Sequence, residues 1–251
     1  MKKYLFISFC FILHISFSQQ TGSITDKRDG KTYKTVLIGN QIWMAEGLKT
    51  TKFNDGSPIY LARTANEWKD YLNNKTPAYM MNNITNEFLY NYYAVNDIRG
   101  LAPTFFSIPT MENFIQLGVN CGGKRNFMIR NDGRQTDWVE NVSQLLRNQY
   151  WSNPGKNSFG FNANRTGMVQ YDGQIDQNDI CRFWMKDGDV AFTDKANEEL
   201  TYDNYCSRMS PEYPCTKESF RLFNRSMNFN NMFLSSGQDP DQGFSVRCVK
   251  N

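Results

Sequence analysis

The stretch KTYKTVLIGNQIWMAEGLKTTKFNDGSPI, residues 31–59, decides the fold. Thr32, Val36 and Ile38, then Ile42, Trp43 and Met44, flank the pair Gly39-Asn40, which reads as two short strands joined by a tight turn. Asn54-Asp55-Gly56 marks the next turn. Asp-Gly recurs at 29, 55, 132, 172 and 187. Each pair supplies the positive backbone dihedrals that hairpin turns demand, so the chain is rich in hairpins.

Helices are fewer. Thr64-Ala65-Asn66-Glu67 spells a capping box ahead of Trp68, Tyr71 and Leu72, which share one helical face. Residues 86–96 carry Phe88, Leu89, Tyr92, Tyr93 and Val95, a density that predicts a buried helix. Thr110 caps a third helix after Pro109, with Met111, Phe114, Ile115 and Leu117 on its inner face. Val139, Val142, Leu145 and Leu146 predict a fourth, shorter one. From Phe159 onward, short aromatic runs alternate with polar turns, the signature of an antiparallel sheet. No repeat and no Gly/Ser/Pro linker divides the chain. The reading is a single α+β domain, an antiparallel hairpin-rich sheet with a few short helices, over residues 31–251 and preceded by a lead-in at 19–30.

The first eighteen residues, MKKYLFISFCFILHISFS, combine a Lys pair, an apolar run and small residues at Ser16 and Ser18, the pattern of a cleaved signal peptide (1–18). The run is shorter than the roughly 20 residues that span a bilayer. Cys10 lacks the small neighbours of a lipid-attachment site. Export to the periplasm, cell surface or medium is therefore expected, with no stable membrane span. Cleavage also removes His14, the one histidine of the sequence. Serine or cysteine nucleophile systems lose their usual base, and the helical zinc-protease motif cannot occur. Removing Lys2 and Lys3 from the 28 Lys and Arg leaves 26 against 25 Asp and Glu, so no basic stripe for nucleic acid is expected. Five of the six cysteines remain, at 121, 181, 206, 215 and 248. In an oxidising compartment disulfides persist, and an odd number leaves one thiol over.

Several phrases stand in order along the chain: DGKTYKTVLIGNQIWMAEGLKTTKFNDGSPI, NYYAVND, LAPTFFSIPTMENFIQL, FGFNANRTG and GFSVRCVK. Together they resemble the Fibrobacter succinogenes major paralogous domain, a family of exported bacterial proteins of poorly defined role. The resemblance covers nearly the whole mature chain, and its first and last phrases are the specific ones. It implies a C-type-lectin-like α+β fold, akin also to the formylglycine-generating-enzyme scaffold, whose last strand runs beside the first and clasps the domain. Such a strand puts Phe244, Val246 and Cys248 on one face and Ser245, Arg247 and Val249 on the other. The family usually has a cysteine-containing phrase where this chain reads Ala102-Pro103-Thr104-Phe105-Phe106-Ser107. The resemblance therefore leaves Cys248 either a free buried thiol or bridged to a substitute, with Cys121 the first candidate.

Four aromatic residues, Tyr150, Trp151, Phe183 and Trp184, are the candidate ligand-binding set, because exposed aromatic rings stack on sugar faces. The same residue types also fill cores with their polar ends satisfied. Asp172, Asp176 and Asp179 surround Gln174 and Asn178, but the spacing does not match the calcium loop of helix-loop-helix proteins, and solvated turns are the simpler reading. The closing Asp239-Pro240-Asp241 reads as a turn, without a lectin sugar triplet. Cys206 and Cys215 enclose eight residues, SRMSPEYP, which suits a structural disulfide. No catalytic residue, metal or cofactor is assigned. The function expected is a non-catalytic binding module for a glycan or a surface protein. An enzyme on the formylglycine-generating scaffold and a structural component of a surface assembly are the alternatives.

Overall fold

The 31–59 stretch folds as its alternation dictates. In the computed structural model, which describes residues 20–129, 135–178, 181–186, 190–193, 232–235 and 240–251, β2 (Thr32–Ile38) turns at Gly39-Asn40 into β3 (Gln41–Met44). Val36 lies opposite Trp43. β1 (Thr21–Thr25) pairs along the outer side of β2, and β15 (Val249–Lys250) pairs with β3. The sheet order is β1-β2-β3-β15. The closing strand thus sits beside the third strand of this sheet, because the outer side of β2 is taken by β1.

Alternation sends Val36, Ile38 and Trp43 inward, where they meet Phe114, Ile115 and Leu117 of α3 (Met111–Asn120). The Trp43 ring lies 5.0 Å from Phe114 and 5.5 Å from Phe161. Thr110 caps α3 as expected, in a reciprocal box with Asn113. Above this core stands a sheet of β11 (Cys181–Trp184), β12 (Val190–Thr193), β13 (Met232–Ser235), β8 (Gln135–Glu140) and β7 (Lys124–Ile129), in that order.

A further sheet runs β10 (Ile175–Asp176), β9 (Met168–Val169), β14 (Gly243–Phe244), β6 (Glu87–Asn91), β5 (Ala78–Asn82), β4 (Tyr60–Leu61). Its β4–β5 pair is parallel, an exception to the expected antiparallel pattern. Helix α1 (Ala65–Asn73), capped by Thr64, buries Trp68 and Leu72 with Ala62, Met80, Leu89 and Val169. The chain is α+β, with short helices set against mixed sheets.

Two predicted helices are corrected. Residues 86–96 form β6 followed by one helical turn, α2 (Tyr92–Val95). The break is Asn91, whose buried Oδ1 accepts from the backbone N–H of Ala94 and of Ala78, capping the turn and tying it to β5. Val139 belongs to β8, and α4 (Ser143–Leu146) follows only after Asn141 takes a φ of 63°. Three Asp-Gly turns, at Gly30, Gly56 and Gly173, have the positive φ expected of them. The other two lie outside the described residues.

Residues 243–250 join everything. Phe244, Val246 and Cys248 enter a core with Tyr33, Met44, Leu48 and Tyr90, while Val249 enters the Trp43 core. Arg247 also faces that side, fully buried, with its guanidinium over the rings of Phe161 (4.6 Å) and Phe183 (4.9 Å) and bonded to the Phe161 carbonyl. The expected alternation of this segment holds, but both of its faces are covered.

Near it, the Glu87 carboxyl is almost fully buried, 3.3 Å from the Ser245 hydroxyl. It fits there because residue 47 is glycine: a Cβ at that position would stand 2.0 Å from Glu87 Oε2. Burial pushes the Glu87 carboxyl above its ordinary range, against the pull of Arg247, Lys49 and the Ser245 hydrogen bond, and Glu46 adds to the rise.

Trp43→Ala empties the junction of α3, β3 and the Phe161 loop and should lower the unfolding free energy by about 4 kcal/mol, read from urea denaturation; a loss below about 1 kcal/mol would refute the central place given to this ring. Glu87 makes a pH-dependent contribution. The folded state holds its proton more tightly than the unfolded chain, so the contribution is full below the ordinary value of 4.5 and is lost as pH rises through the folded-state value. Glu87→Gln should flatten this decline in a series of melting curves taken at rising pH, and an unchanged slope would contradict the assignment.

Candidate functional site

β9 and β10 pair with Ile175 opposite Val169 and Asp176 opposite Met168. The turn between them is closed by backbone bonds from Gln170 N to Gln174 O (2.8 Å) and from Gly173 N to Gln170 O (2.8 Å). Gly173 has a φ of 82° and packs on the start of α1, where a Cβ would lie 2.6 Å from both the Cα and the carbonyl oxygen of Ala65. No other residue fits both demands. At the base of the hairpin, Asn82 Nδ2 donates to the Thr166 carbonyl (2.9 Å), and Ile175 packs against the α1 core. The hairpin is thereby pinned on its α1 side and at its root.

The hairpin's own side chains border a shallow, largely open cleft of about 490 Å³. The lining is Gln170, Gln174, Gln177 and Asn178, the carboxylates Asp172 and Asp176, and one apolar residue, Ile175. Asp172 Oδ1 accepts from Gln174 N (2.9 Å), and Asp176 Oδ1 accepts from Asn178 N (2.9 Å). Gln170 Nε2 donates to Asp176 Oδ2 (3.3 Å). These bonds hold both carboxylates in set orientations. The side chains of Gln174, Gln177 and Asn178 make no hydrogen bond among the described residues, which leaves amide donors and acceptors facing solvent. Tyr171, between two lining residues, is 70% exposed.

A family model described as the Fibrobacter succinogenes major domain matches residues 36–250. The chain belongs to that family. In this Fibrobacter succinogenes major domain protein the match opens within β2, closes at the end of β15, and includes the whole cleft hairpin. No curated protein and no solved structure matches the chain.

The aromatic set expected to bind ligand does not form a groove in this family member. Tyr150 is exposed (65%), but Trp151, Phe183 and Trp184 are core residues. Trp151 Nε1 donates to the Ala163 carbonyl (2.9 Å) beneath the Arg147 guanidinium. Phe183 stacks with Phe114, whereas Trp184, next along β11, turns to the opposite core and donates from Nε1 to the Tyr90 carbonyl (2.7 Å). Adjacent strand residues face opposite ways, and here a core covers each face.

Cys121 and Cys248 are free thiols in separate core clusters, each pushed up to about 12 by burial, so the substitute bridge between them is not formed. The alternative of a free buried Cys248 holds, and Ala102 packs against the same cluster. Cys206 and Cys215 lie outside the described residues, as do Asp179 and Asp239. Among the described residues no three His, Cys, Asp or Glu side chains gather as metal ligands, and no helix is long and apolar enough to cross a membrane.

The cleft was visible in the sequence only as QYDGQIDQN, six amide or carboxylate side chains around one Asp-Gly turn. Gly173→Ala should force the turn off α1, costing about 1–3 kcal/mol for a strained left-handed residue and speeding hydrogen exchange at the Gln170 and Gly173 amides. Unchanged exchange at those two amides would show that the α1 contact does not hold the loop.

Proposed function

We propose that this protein is an exported, non-catalytic binding module with a C-type-lectin-like fold that takes a glycan in the β9–β10 cleft. The observation that carries the reading is the cleft lining: amides with open donors and acceptors, two oriented carboxylates and one apolar side chain. Sugar hydroxyls are simultaneous donors and acceptors, and amide and carboxylate side chains match them in both senses. The 490 Å³ volume suits one or two sugar rings of a longer chain. Tyr171 adds an aromatic surface at the rim. Export rests on the first eighteen residues, and the lectin-like reading on the family resemblance together with the clasp of the late β15 against the first sheet.

The test is titration of the purified protein against a polysaccharide and oligosaccharide panel, followed by Gln174→Ala and Gln177→Ala on any ligand found. Each truncation removes one amide that has no other bond among the described residues. Each should weaken binding about fivefold to tenfold, the worth of a hydrogen bond, without moving the melting temperature. Binding that both variants leave intact would remove the cleft from the mechanism.

A further inference from the structure

The charge of the cleft goes further than its shape. Among the described residues its lining carries two carboxylates, Asp172 and Asp176, and no lysine or arginine. Their bonds are to a backbone N–H each and, for Asp176, to the Gln170 amide, which are neutral donors. Neither charge is cancelled by a salt bridge among the described residues. A ligand in the cleft therefore meets two carboxylates that have no ion-pair partner among the described residues.

We propose that the cleft selects uncharged sugars and rejects their acidic counterparts, a statement that rests on the glycan reading above and names the ligand class for it. A neutral hexose presents hydroxyl groups, whose protons the two carboxylates accept in charge-assisted bonds. A uronic acid replaces the C6 hydroxymethyl with a carboxylate. That group brings a third negative charge beside two fixed ones and finds only amides to receive it. The amides of Gln174, Gln177 and Asn178 set direction without charge, so they do not reverse this preference. Ile175, half-buried between the polar residues, offers its apolar edge to the C–H face that a neutral sugar presents.

The experiment uses paired oligosaccharides that differ at C6 alone: neutral gluco-, manno- and galacto-configured oligomers and their C6-carboxylate forms, titrated calorimetrically into the purified protein. At low salt the acidic member of a pair should bind at least about tenfold more weakly than the neutral one, with the gap narrowing as salt screens the charges. The double substitution Asp172→Asn with Asp176→Asn keeps the shape of both side chains, and each new amide retains an oxygen to accept the backbone N–H that its carboxylate accepted, from Gln174 and Asn178 respectively. In that double variant the acidic-to-neutral ratio of dissociation constants should fall towards one.

Equal binding of both members, or tighter binding of the acidic one, overturns the selectivity and leaves glycan binding standing. A ratio that the double variant does not change overturns it as well, because the discrimination then has another source. Failure of every neutral and acidic oligomer to bind overturns the glycan reading itself, and the selectivity with it.

Discussion

One extended segment, residues 243–250, is hydrogen-bonded to strands of all three sheets, and the rest of the structure depends on it. Its backbone pairs at Gly243 and Phe244 with β6 and β9, accepts from Trp184 of β11 at Ser245, and pairs at Val249 and Lys250 with β3. Leu48 and Met44 donate to the carbonyls of Val246 and Cys248, and Ser107 exchanges both backbone bonds with Val249. A strand has only two faces, and both here are spent on cores. Hence Arg247, whose sequence position demands the Trp43 side, stays buried and is accommodated by aromatic rings and the Phe161 carbonyl in place of water.

The cleft inherits its position from the same segment. β9 lies next to β14, so the β9–β10 hairpin hangs at the edge of the β14 sheet and reaches the start of α1, which covers that sheet's face. The polar side chains of the turn are thus presented from a support that is packed on one side and open on the other. The backbone bonds of the turn and the seat of Gly173 on Ala65 restrict the conformations open to these side chains.

Local pattern foretold local structure. The β2–β3 hairpin, the Thr64 and Thr110 caps, the helical faces of Trp68 and Phe114 and the alternation of 244–249 were all legible, because each depends on neighbours within a few residues. Residues 86–96 were not: the apolar density there reflects burial, and what ends the strand is the Asn91 side chain reaching across to Ala78. The burial of Trp151, Phe183 and Trp184 is not legible in the sequence for a related reason. Periodicity tells which face a ring occupies, and only the tertiary structure tells whether that face is covered. The amides of 170–178 stood in plain sight, yet what sets them around one opening is the seat of Gly173 on Ala65, 108 positions earlier in the chain.

The order in which the chain is made gives the late strand a further meaning. Synthesis proceeds from the N-terminus, so every sheet lacks a hydrogen-bonding partner until residues 243–250 have left the ribosome. Val249 completes the Trp43 core and Phe244, Val246 and Cys248 complete the Tyr90 core, and contacts such as Trp43 with Val249 join residues far apart in the sequence. Closure between such distant residues is slow. The pairing of residues 243–250 with strands made much earlier is thus the long-range step that joins the three sheets.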